Sequence, residues 1–140
     1  MARIVVDTNI FFSALISGEG SAFTETLLRS QNEFFACEMT LVEIFKHKEK
    51  ILKFSRISDD DLARLYHSLL KRINLHKETL ISPENRKTAY NLCRDIDETD
   101  TPHVALALEL DEFLWTGDKR LKEGLEEKGF KNFFVPQMSR

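Results

Sequence analysis

The chain has 140 residues, of which 42% are apolar and 31% charged, with 20 Lys plus Arg against 23 Asp plus Glu. This is a globular composition, because disordered chains have fewer apolar side chains and a stronger charge imbalance. The length predicts one domain over residues 1–140, stable without disulfides or structural metals. The net charge of −3 argues against a ligand held mainly by a basic surface, since nucleic-acid-binding domains usually have a basic total.

The cysteines and apolar segments carry no signature of export or of a membrane span. Cys37 and Cys93 have apolar neighbours and no CxxC or Cys/His spacing, which predicts packing residues in a reducing compartment. The apolar opening over 4–16 contains Asp7 and Asn9, unlike a secretory leader. No run reaches the roughly 18 apolar residues that a membrane span needs. We therefore expect a cytoplasmic protein.

The N-terminal part predicts buried strands alternating with helices. The β-branched run over 3–6 stops at Asp7, as expected of a strand buried on both faces of a parallel sheet. A helix over 21–29 and a strand over 34–37 follow it.

The middle of the chain predicts two longer helices. Thr40 is the predicted N-cap of a helix that extends to Phe54 and carries Glu43. Ser58 is predicted to cap an amphipathic helix whose apolar positions continue to Ile73.

The last third repeats the alternation. Five short strands separated by helices predict an α/β layer sandwich with a mostly parallel sheet. The predicted elements here are a strand over 79–81, a helix opened by Ser82-Pro83-Glu84, a helix begun by Asp100-Thr101-Pro102, a strand over 112–116, a helix closed near Gly129 and a strand over 133–135.

Four acids lie where such a sheet would bring them together. Asp7 and Asp118 follow strands, Asp100 begins a helix, and Glu43 is in the first turn of a helix after a strand. Ligands of open parallel sheets bind outside the carboxyl ends of the strands. Clustered carboxylates repel one another and are tolerated chiefly when a cation neutralises them. Oxygen ligands alone predict Mg²⁺ or Mn²⁺, with phosphodiester hydrolysis as the natural reaction.

Two of these acids have alternative roles in turns. Asp7 interrupts an apolar run, which favours function, although the neighbouring Thr8 and Asn9 are equally suited to an Asx-type turn. Asp118 follows Gly117, as turn residues do, but its strand-end position matches that of Asp7. The four histidines have no mutual metal-site spacing and are interpreted as surface or helix-lining residues: His47, His67, His76 and His103.

The other two acids have alternative roles as helix caps. Glu43 suits the N3 position of a capping box with Thr40. Asp100 suits the cap of the helix that Pro102 begins, and Asp97 competes with it for the functional role. We favour Asp100, and the choice between these two acids stays open.

Taken together, these residues resemble the PIN-domain ribonucleases, including the VapC-like toxins of prokaryotic toxin–antitoxin pairs. The resemblance extends from residue 3 to about residue 135. It is carried by Val5-Val6-Asp7-Thr8-Asn9-Ile10, Thr40-Leu41-Val42-Glu43-Ile44, Asp97-Glu98-Thr99-Asp100 with Val104-Ala105-Leu106-Ala107, and Leu114-Trp115-Thr116-Gly117-Asp118-Lys119-Arg120-Leu121.

The resemblance implies a three-layer α/β/α sandwich with strand order 3-2-1-4-5. It further implies RNA cleavage with Mg²⁺ or Mn²⁺, a cognate antitoxin as inhibitor, and a homodimer. Asn9 and Thr116 match the family's supporting polar residues. The family's metal-binding, catalytic acids match Asp7, Glu43, Asp100 and Asp118.

Basic residues cluster after Glu43 and after Asp118. A path for an RNA backbone and a solvated helix face both fit such clusters, and phosphate contacts there would be independent of sequence. The first cluster comprises Lys46, His47, Lys48, Lys50, Lys53 and Arg56, and the second Lys119, Arg120 and Lys122; the residues expected to bind RNA are Lys46, Lys48, Lys50, Lys119 and Arg120.

Three other protein classes are compared with this hypothesis. A response-regulator receiver carries an acidic pair after its first strand, where this chain has Asp7-Thr8-Asn9. A haloacid-dehalogenase phosphatase needs an aspartate at the position of Asn9. The remaining alternative is a catalytically silent PIN-like module that binds RNA or protein. The sequence therefore predicts a metal-dependent endoribonuclease, with the silent module as the second hypothesis.

Overall fold

The sheet forms from short β-branched and aromatic runs that are buried between helices. The computed structural model describes residues 1–55 and 57–136. Within them, four parallel strands lie in the order β3-β2-β1-β4. The strands are β1 (Arg3–Val6), β2 (Glu33–Cys37), β3 (Ile73–His76) and β4 (Phe113–Trp115).

Helices cover both faces of this sheet. Alternate side chains of a strand point to opposite faces, and in β1 Ile4 and Val6 join one apolar cluster while Val5 joins the other. The first cluster includes helices α1 (Thr8–Ser17), α2 (Ala22–Arg29), α3 (Met39–Lys46), α4 (Lys48–Ser55) and α5 (Asp59–Leu70); the second includes α6 (Pro83–Cys93), α7 (Thr101–Leu110) and α8 (Lys119–Glu127). The predicted α/β fold with a helix-flanked parallel sheet is confirmed.

The prediction of a fifth strand over 133–135 is wrong. Phe133 forms a single parallel bridge with Leu114, and no strand extends from it within the described residues. Two backbone hydrogen bonds hold this segment beside β4: the N–H of Leu114 donates to the carbonyl of Asn132, and the N–H of Phe134 donates to the carbonyl of Leu114. Pro136 follows this segment. The sheet therefore has four strands, whose order agrees with the first four positions of 3-2-1-4-5.

The predicted position of the third strand is also wrong. Ile73 begins β3, although the sequence pattern assigned it to the preceding helix, which ends at Leu70. The segment predicted as a strand over 79–81 instead forms a 3₁₀ turn, Glu78–Leu80. The three- and four-residue spacing of apolar side chains continues past the helix end and conceals the boundary.

The helix predicted to run from Thr40 to Phe54 is two helices, α3 and α4, separated at His47. Thr40 is not its N-cap, because α3 already begins at Met39 and Thr40 is buried within its first turn. The predicted cap Ser58 is confirmed, since its side chain accepts a bond from the backbone N–H of Asp61. Ser21, the first residue of the helix predicted over 21–29, is the cap of α2 and accepts a bond from the N–H of Thr24.

Other expectations also agree with the structure. Pro83 opens α6 behind the cap Ser82. Cys37 and Cys93 are buried free thiols, as their apolar neighbours indicate. In the described part of the chain, no helix combines the length and the apolar character needed to cross a membrane.

Candidate active site

Asp7 lies at the carboxyl end of β1 and is almost completely buried. Its Oδ1 accepts a hydrogen bond of 3.1 Å from the backbone N–H of Ile10, so the side chain caps α1. Asp7 therefore has a local structural role at the start of α1, as the alternative interpretation of the sequence allowed. It occupies only one of the two carboxylate oxygens.

The second oxygen of Asp7, Oδ2, is buried and has no partner at hydrogen-bonding distance in the described part of the chain. Burial raises the pKa of this carboxyl to about 6. Hydrogen bonding from the Thr116 hydroxyl and from the N–H groups of Ile10 and Asn9 opposes this shift, and the charge of Asp118 adds to it. A buried acceptor without a donor is costly, so this oxygen is a candidate ligand atom for a cation.

Asp118 lies beside Asp7 because their strands are neighbours in the sheet. It is half-buried, and its side chain caps α8 by accepting a bond of 3.1 Å from the N–H of Leu121. Its own backbone N–H donates to Oγ1 of Thr116 at 3.1 Å. Thr116 therefore contacts the backbone of one acid and stabilises the ionised form of the other.

Asp100 is buried at the start of α7, after the 3₁₀ turn Glu98–Asp100. Its side chain makes no capping bond among the described residues, so the cap role considered from the sequence is not realised. Its pKa is raised to about 7, mainly by burial and additionally by the charges of four acids: Asp7, Asp97, Asp118 and Glu43, in that order. The charges of the candidate acids therefore act on one another at this position.

Asp97 occupies a different environment from Asp100. It is exposed and caps the 3₁₀ turn through Oδ1, which accepts bonds from the Thr99 N–H at 3.0 Å and the Thr99 hydroxyl at 2.6 Å. These bonds to Thr99 lower its pKa, and the charge of Arg120 contributes. Asp97 is thus a surface carboxylate that already has hydrogen-bond donors.

Glu43 lies in the middle of α3 and is half-buried. Burial raises the pKa of its carboxyl, while the charge of His47, a hydrogen bond from Thr8 and the charge of Lys46 lower it. The capping box with Thr40 is absent, because Thr40 is not the helix cap. The hydroxyl of Thr40 instead lies 3.2 Å from that of Thr8.

The donor set fits a divalent cation in its chemistry. Carboxylate oxygens are the ligands that Mg²⁺ and Mn²⁺ prefer, and the orphaned Oδ2 of Asp7 has no other partner in the described residues. No three Asp, Glu, His or Cys side chains among residues 1–55 and 57–136 converge closely enough to hold a metal ion. The acids are therefore coupled by charge without forming a closed ligand shell.

The supporting and basic residues surround these acids unevenly. Asn9 is exposed in the first turn of α1 and contributes its backbone N–H to Asp7. The charge of Lys46 lowers the pKa of Glu43, and the charge of Arg120 lowers the pKa of Asp97. The exposed basic residues expected to bind RNA are Lys46, Lys48, Lys50, Lys119 and Arg120; Arg56 lies outside the described residues.

His103 corrects the interpretation of the four histidines as surface or helix-lining residues. It is only 3% exposed, and its Nε2 lies 3.3 Å from the Thr8 hydroxyl. The signal in the sequence is that the residues after it, 104–108, are all apolar, as in a helix that is buried on every side. In α7, residues 103–107 are all buried.

A family model of the PIN domain matches residues 5–134, a segment that contains all four candidate acids. No curated protein matches the sequence. PIN domains are generally a nuclease fold that acts on nucleic acid, and PIN nucleases generally use divalent metal ions. The match covers most of the chain and confirms the predicted resemblance at the level of the domain. The chain therefore belongs to the PIN domain family.

Proposed function

We propose that this protein is an endoribonuclease that hydrolyses RNA phosphodiester bonds with Mg²⁺ or Mn²⁺. The observation that carries the proposal is the environment of Asp100, a buried carboxyl whose pKa is raised by burial and by Asp7, Asp97, Asp118 and Glu43. Such mutual repulsion destabilises the fold unless a bound cation offsets it. Binding of a cation would therefore explain why the chain retains this group of mutually repelling acids.

The residues proposed to hold the cation are Asp7, Glu43, Asp100 and Asp118. When bound, the ion supplies positive charge for the phosphate oxygens and lowers the pKa of the attacking water. The acids would orient that water towards phosphorus, and hydrogen bonds from the Thr116 hydroxyl and the backbone N–H of Asn9 favour the ionised form of Asp7. The expected products carry 5′-phosphate and 3′-hydroxyl ends. One or two ions are compatible with this set of ligands.

Asp100 is the preferred third acid. Its carboxyl is buried beside the other acids and makes no capping bond in the described structure. Asp97 is exposed and held by Thr99. Asp97 is therefore assigned a supporting role, as the cap of the turn that presents Asp100.

The test is cleavage of a labelled RNA by the purified protein with Mn²⁺, compared with EDTA and with Asp7→Asn. Asparagine is also a good helix cap, so this variant retains an oxygen to accept the bond from Ile10, while it removes the charge and replaces Oδ2 by an amide NH₂ group. We expect cleavage by the wild type with Mn²⁺ alone. Equal cleavage in all three samples would reject the metal mechanism.

A second candidate function is a catalytically silent module that binds RNA or protein. It is favoured by one observation, namely that no three metal-ligating side chains converge in the described residues. RNA affinity without turnover, unchanged by Asp7→Asn and by EDTA, would support this alternative. Weaker RNA binding by Asp7→Asn in Mn²⁺ would argue against it.

The finer proposal is a toxin of a toxin–antitoxin pair that is held inactive by its antitoxin and forms a homodimer. A protein partner is supported by the large exposed apolar side chains of α3 and α4, among them Val42, Phe45 and Phe54. Phe45 also lines a cavity of about 210 Å³ between these helices and α5. Co-purification with the product of a neighbouring small gene tests the antitoxin, and light scattering tests the dimer.

A further inference from the structure

A cavity of about 290 Å³ lies at the start of α7, beside the candidate site. Its wall includes Glu98 and Thr101. The hydroxyl of Thr101 donates to the carbonyl oxygen of Glu98 at 2.6 Å and so closes the turn between them. Asp100 belongs to this turn, and consecutive Cα atoms such as those of Asp100 and Thr101 are about 3.8 Å apart. The segment that carries Asp100 therefore also forms part of the cavity wall.

A second part of the wall is connected to α3, the helix that carries Glu43. Glu78 lines the cavity, and its Oε1 accepts a hydrogen bond of 2.7 Å from the backbone N–H of Met39, the first residue of α3. The cavity is thus formed by segments that are attached to two of the four candidate acids. A nucleotide whose phosphate lies at these acids would have this cavity within reach of its base.

The apolar lining of the cavity suits a flat ring. Ile81 and Ala105 are buried, while Tyr90 of α6 also lines the cavity and has 46% of its surface exposed. RNA-binding proteins stack unpaired bases on exposed aromatic side chains of this kind. The volume is near the lower limit for small-molecule pockets, which begins at about 300 Å³. It therefore fits one base better than a larger ligand.

Two charged side chains of opposite sign line the same cavity. Arg86 and Glu98 are exposed, and neither belongs to an ion pair among the described residues. The carboxylate of Glu78, by contrast, already accepts the bond from Met39. Arg86 and Glu98 therefore supply a donor and an acceptor for the polar edges of a ligand.

Guanine complements this pair of side chains best. Arginine donates to its adjacent acceptors O6 and N7, which is the commonest specific contact with a base. A carboxylate only accepts, and guanine offers it two adjacent donors, N1–H and the amino group. Adenine, cytosine and uracil lack an adjacent pair of donors, so a carboxylate such as that of Glu98 discriminates against them.

We propose that this cavity, the base pocket, binds a guanine base of the RNA substrate next to the scissile phosphate. Tyr90 stacks on the base, Arg86 donates to O6 and N7, and Glu98 accepts from N1–H and the amino group. The inference rests on the proposed function, because it takes the phosphate of an RNA to lie at the acids. It adds a base preference, which phosphate contacts cannot supply.

The first experiment measures binding without catalysis. Single-stranded RNA hexamers of uridine, with one guanosine, adenosine or cytidine at the same position, are titrated in EDTA into ¹⁵N-labelled protein and followed by NMR. The guanosine hexamer should bind most tightly and should shift the amide signals of Tyr90, Glu98 and Ala105. Equal affinity for all hexamers, or no shift at these residues, would overturn the proposal.

The second experiment removes the stacking surface. Tyr90→Ala should weaken binding of the guanosine hexamer about tenfold, within the range measured for stacking of one base on an aromatic ring. Tyr90→Phe retains the ring and should bind as the wild type does. Similar affinities of Tyr90→Ala and wild type would show that the base does not stack there.

The third experiment tests the polar contact that selects the base. Glu98→Ala should reduce the preference for guanosine over adenosine about tenfold, as expected for loss of one base-specific contact. The matched control is Glu84→Ala, which removes an exposed glutamate of the first turn of α6 outside the cavity wall. It should leave the preference unchanged, because the ratio of two affinities cancels the general effect of a lost negative charge. An unchanged preference in Glu98→Ala would contradict the proposed contact.

The base pocket and the proposed function fail in different ways. Cleavage with Mn²⁺ that shows no preference for guanosine rejects the base pocket and leaves the proposed function in place. Guanosine-selective binding in EDTA without cleavage in Mn²⁺ rejects the proposed function and retains the pocket. If the wild type cleaves, kcat/KM for the guanosine hexamer should also fall about tenfold in Tyr90→Ala and not in Tyr90→Phe.

Discussion

The backbone N–H of Asp7 donates to the carbonyl oxygen of Trp115 at 3.2 Å. This bond follows the last paired residues of β1 and β4, Val6 and Trp115, at the point where both strands end. Asp7 and Asp118 lie directly after these strand ends. The relative position of these acids is therefore set by the sheet and not by mobile loops. It follows that their electrostatic repulsion is built into the folded state, and that removing a charge should affect stability as well as activity.

Asp7→Asn should stabilise the protein in EDTA at pH 8. The variant keeps the cap on Ile10 and removes a buried charge whose pKa is raised from 3.8 to about 6. At about 1.4 kcal/mol per pKa unit, the free energy of unfolding should increase by up to about 3 kcal/mol. Urea unfolding followed by circular dichroism measures it.

The matched control for this measurement is Asp60→Asn, which removes an exposed acid in the first turn of α5. It should give no such increase, since its charge is solvated and favourably placed against the helix dipole. A variant Asp7→Asn that is less stable than the wild type at pH 8 would contradict the prediction.

The stability of the protein in EDTA should increase as the pH falls from 8 to about 6.5. The pKa values of Asp7 and Asp100 are raised to about 6 and about 7, so the folded state binds more protons than the unfolded chain in this range. The penalty of the two charges is fully present above these values and is lost as they become protonated. Urea unfolding at several pH values tests the trend.

Two further results define this pH dependence. Below about pH 6.5, His103 acts in the opposite sense, because its lowered pKa means that only the unfolded chain takes up its proton. Asp100→Asn should flatten the upper part of the curve, and Mn²⁺ should reduce the difference between pH 8 and 6.5, since it requires ionised carboxylates. A curve that rises towards pH 8 in EDTA would refute the assignment.

Thr116→Val should weaken Mn²⁺ binding more at pH 6.5 than at pH 8. The Thr116 hydroxyl lowers the pKa of Asp7, so its removal raises that pKa and leaves more of the carboxyl protonated at the lower pH. Thr116→Ser retains the hydroxyl and serves as the control. Calorimetry at both pH values measures the effect, and an equal loss at both would indicate a merely structural contribution.

Lys119→Ala should reduce the salt dependence of RNA binding, with a slope in the double-logarithmic plot smaller by about 1. Lys119 is exposed and directly follows Asp118, beyond the carboxyl ends of the strands, where the acids lie. Lys71 is exposed before the amino end of β3, at the opposite end of the strands, and Lys71→Ala should leave the slope unchanged. Equal slopes for both variants would remove Lys119 from the RNA path.

Much of the candidate site was predictable because strands that end in an acid are easy to recognise in a sequence. Asp7 and Asp118 each follow an apolar run, and a parallel sheet brings such ends to one edge. Their additional role as helix caps was also foreseeable from local pattern. The difference in burial between Asp97 and Asp100 was not, since only the three-dimensional structure provides it.

The errors have a common physical origin in tertiary context. Ile73 continues the apolar spacing of α5 but belongs to β3, because pairing with β2 outweighs local helical preference. His47 ends α3 although no glycine or proline marks the position. Phe133 has the side chain of a strand residue and yet forms one bridge.

The short segment after α8 has a consequence for association. The N–H and carbonyl groups of Leu114 in β4 point away from β1. The N–H donates to the carbonyl of Asn132 at 2.8 Å, and the carbonyl accepts from the N–H of Phe134 at 2.9 Å. An unpaired edge strand is a template for unwanted strand addition. Two hydrogen bonds thus close this border of the sheet without a fifth strand. At the opposite border, β3 pairs with β2 alone among the strands of the described residues.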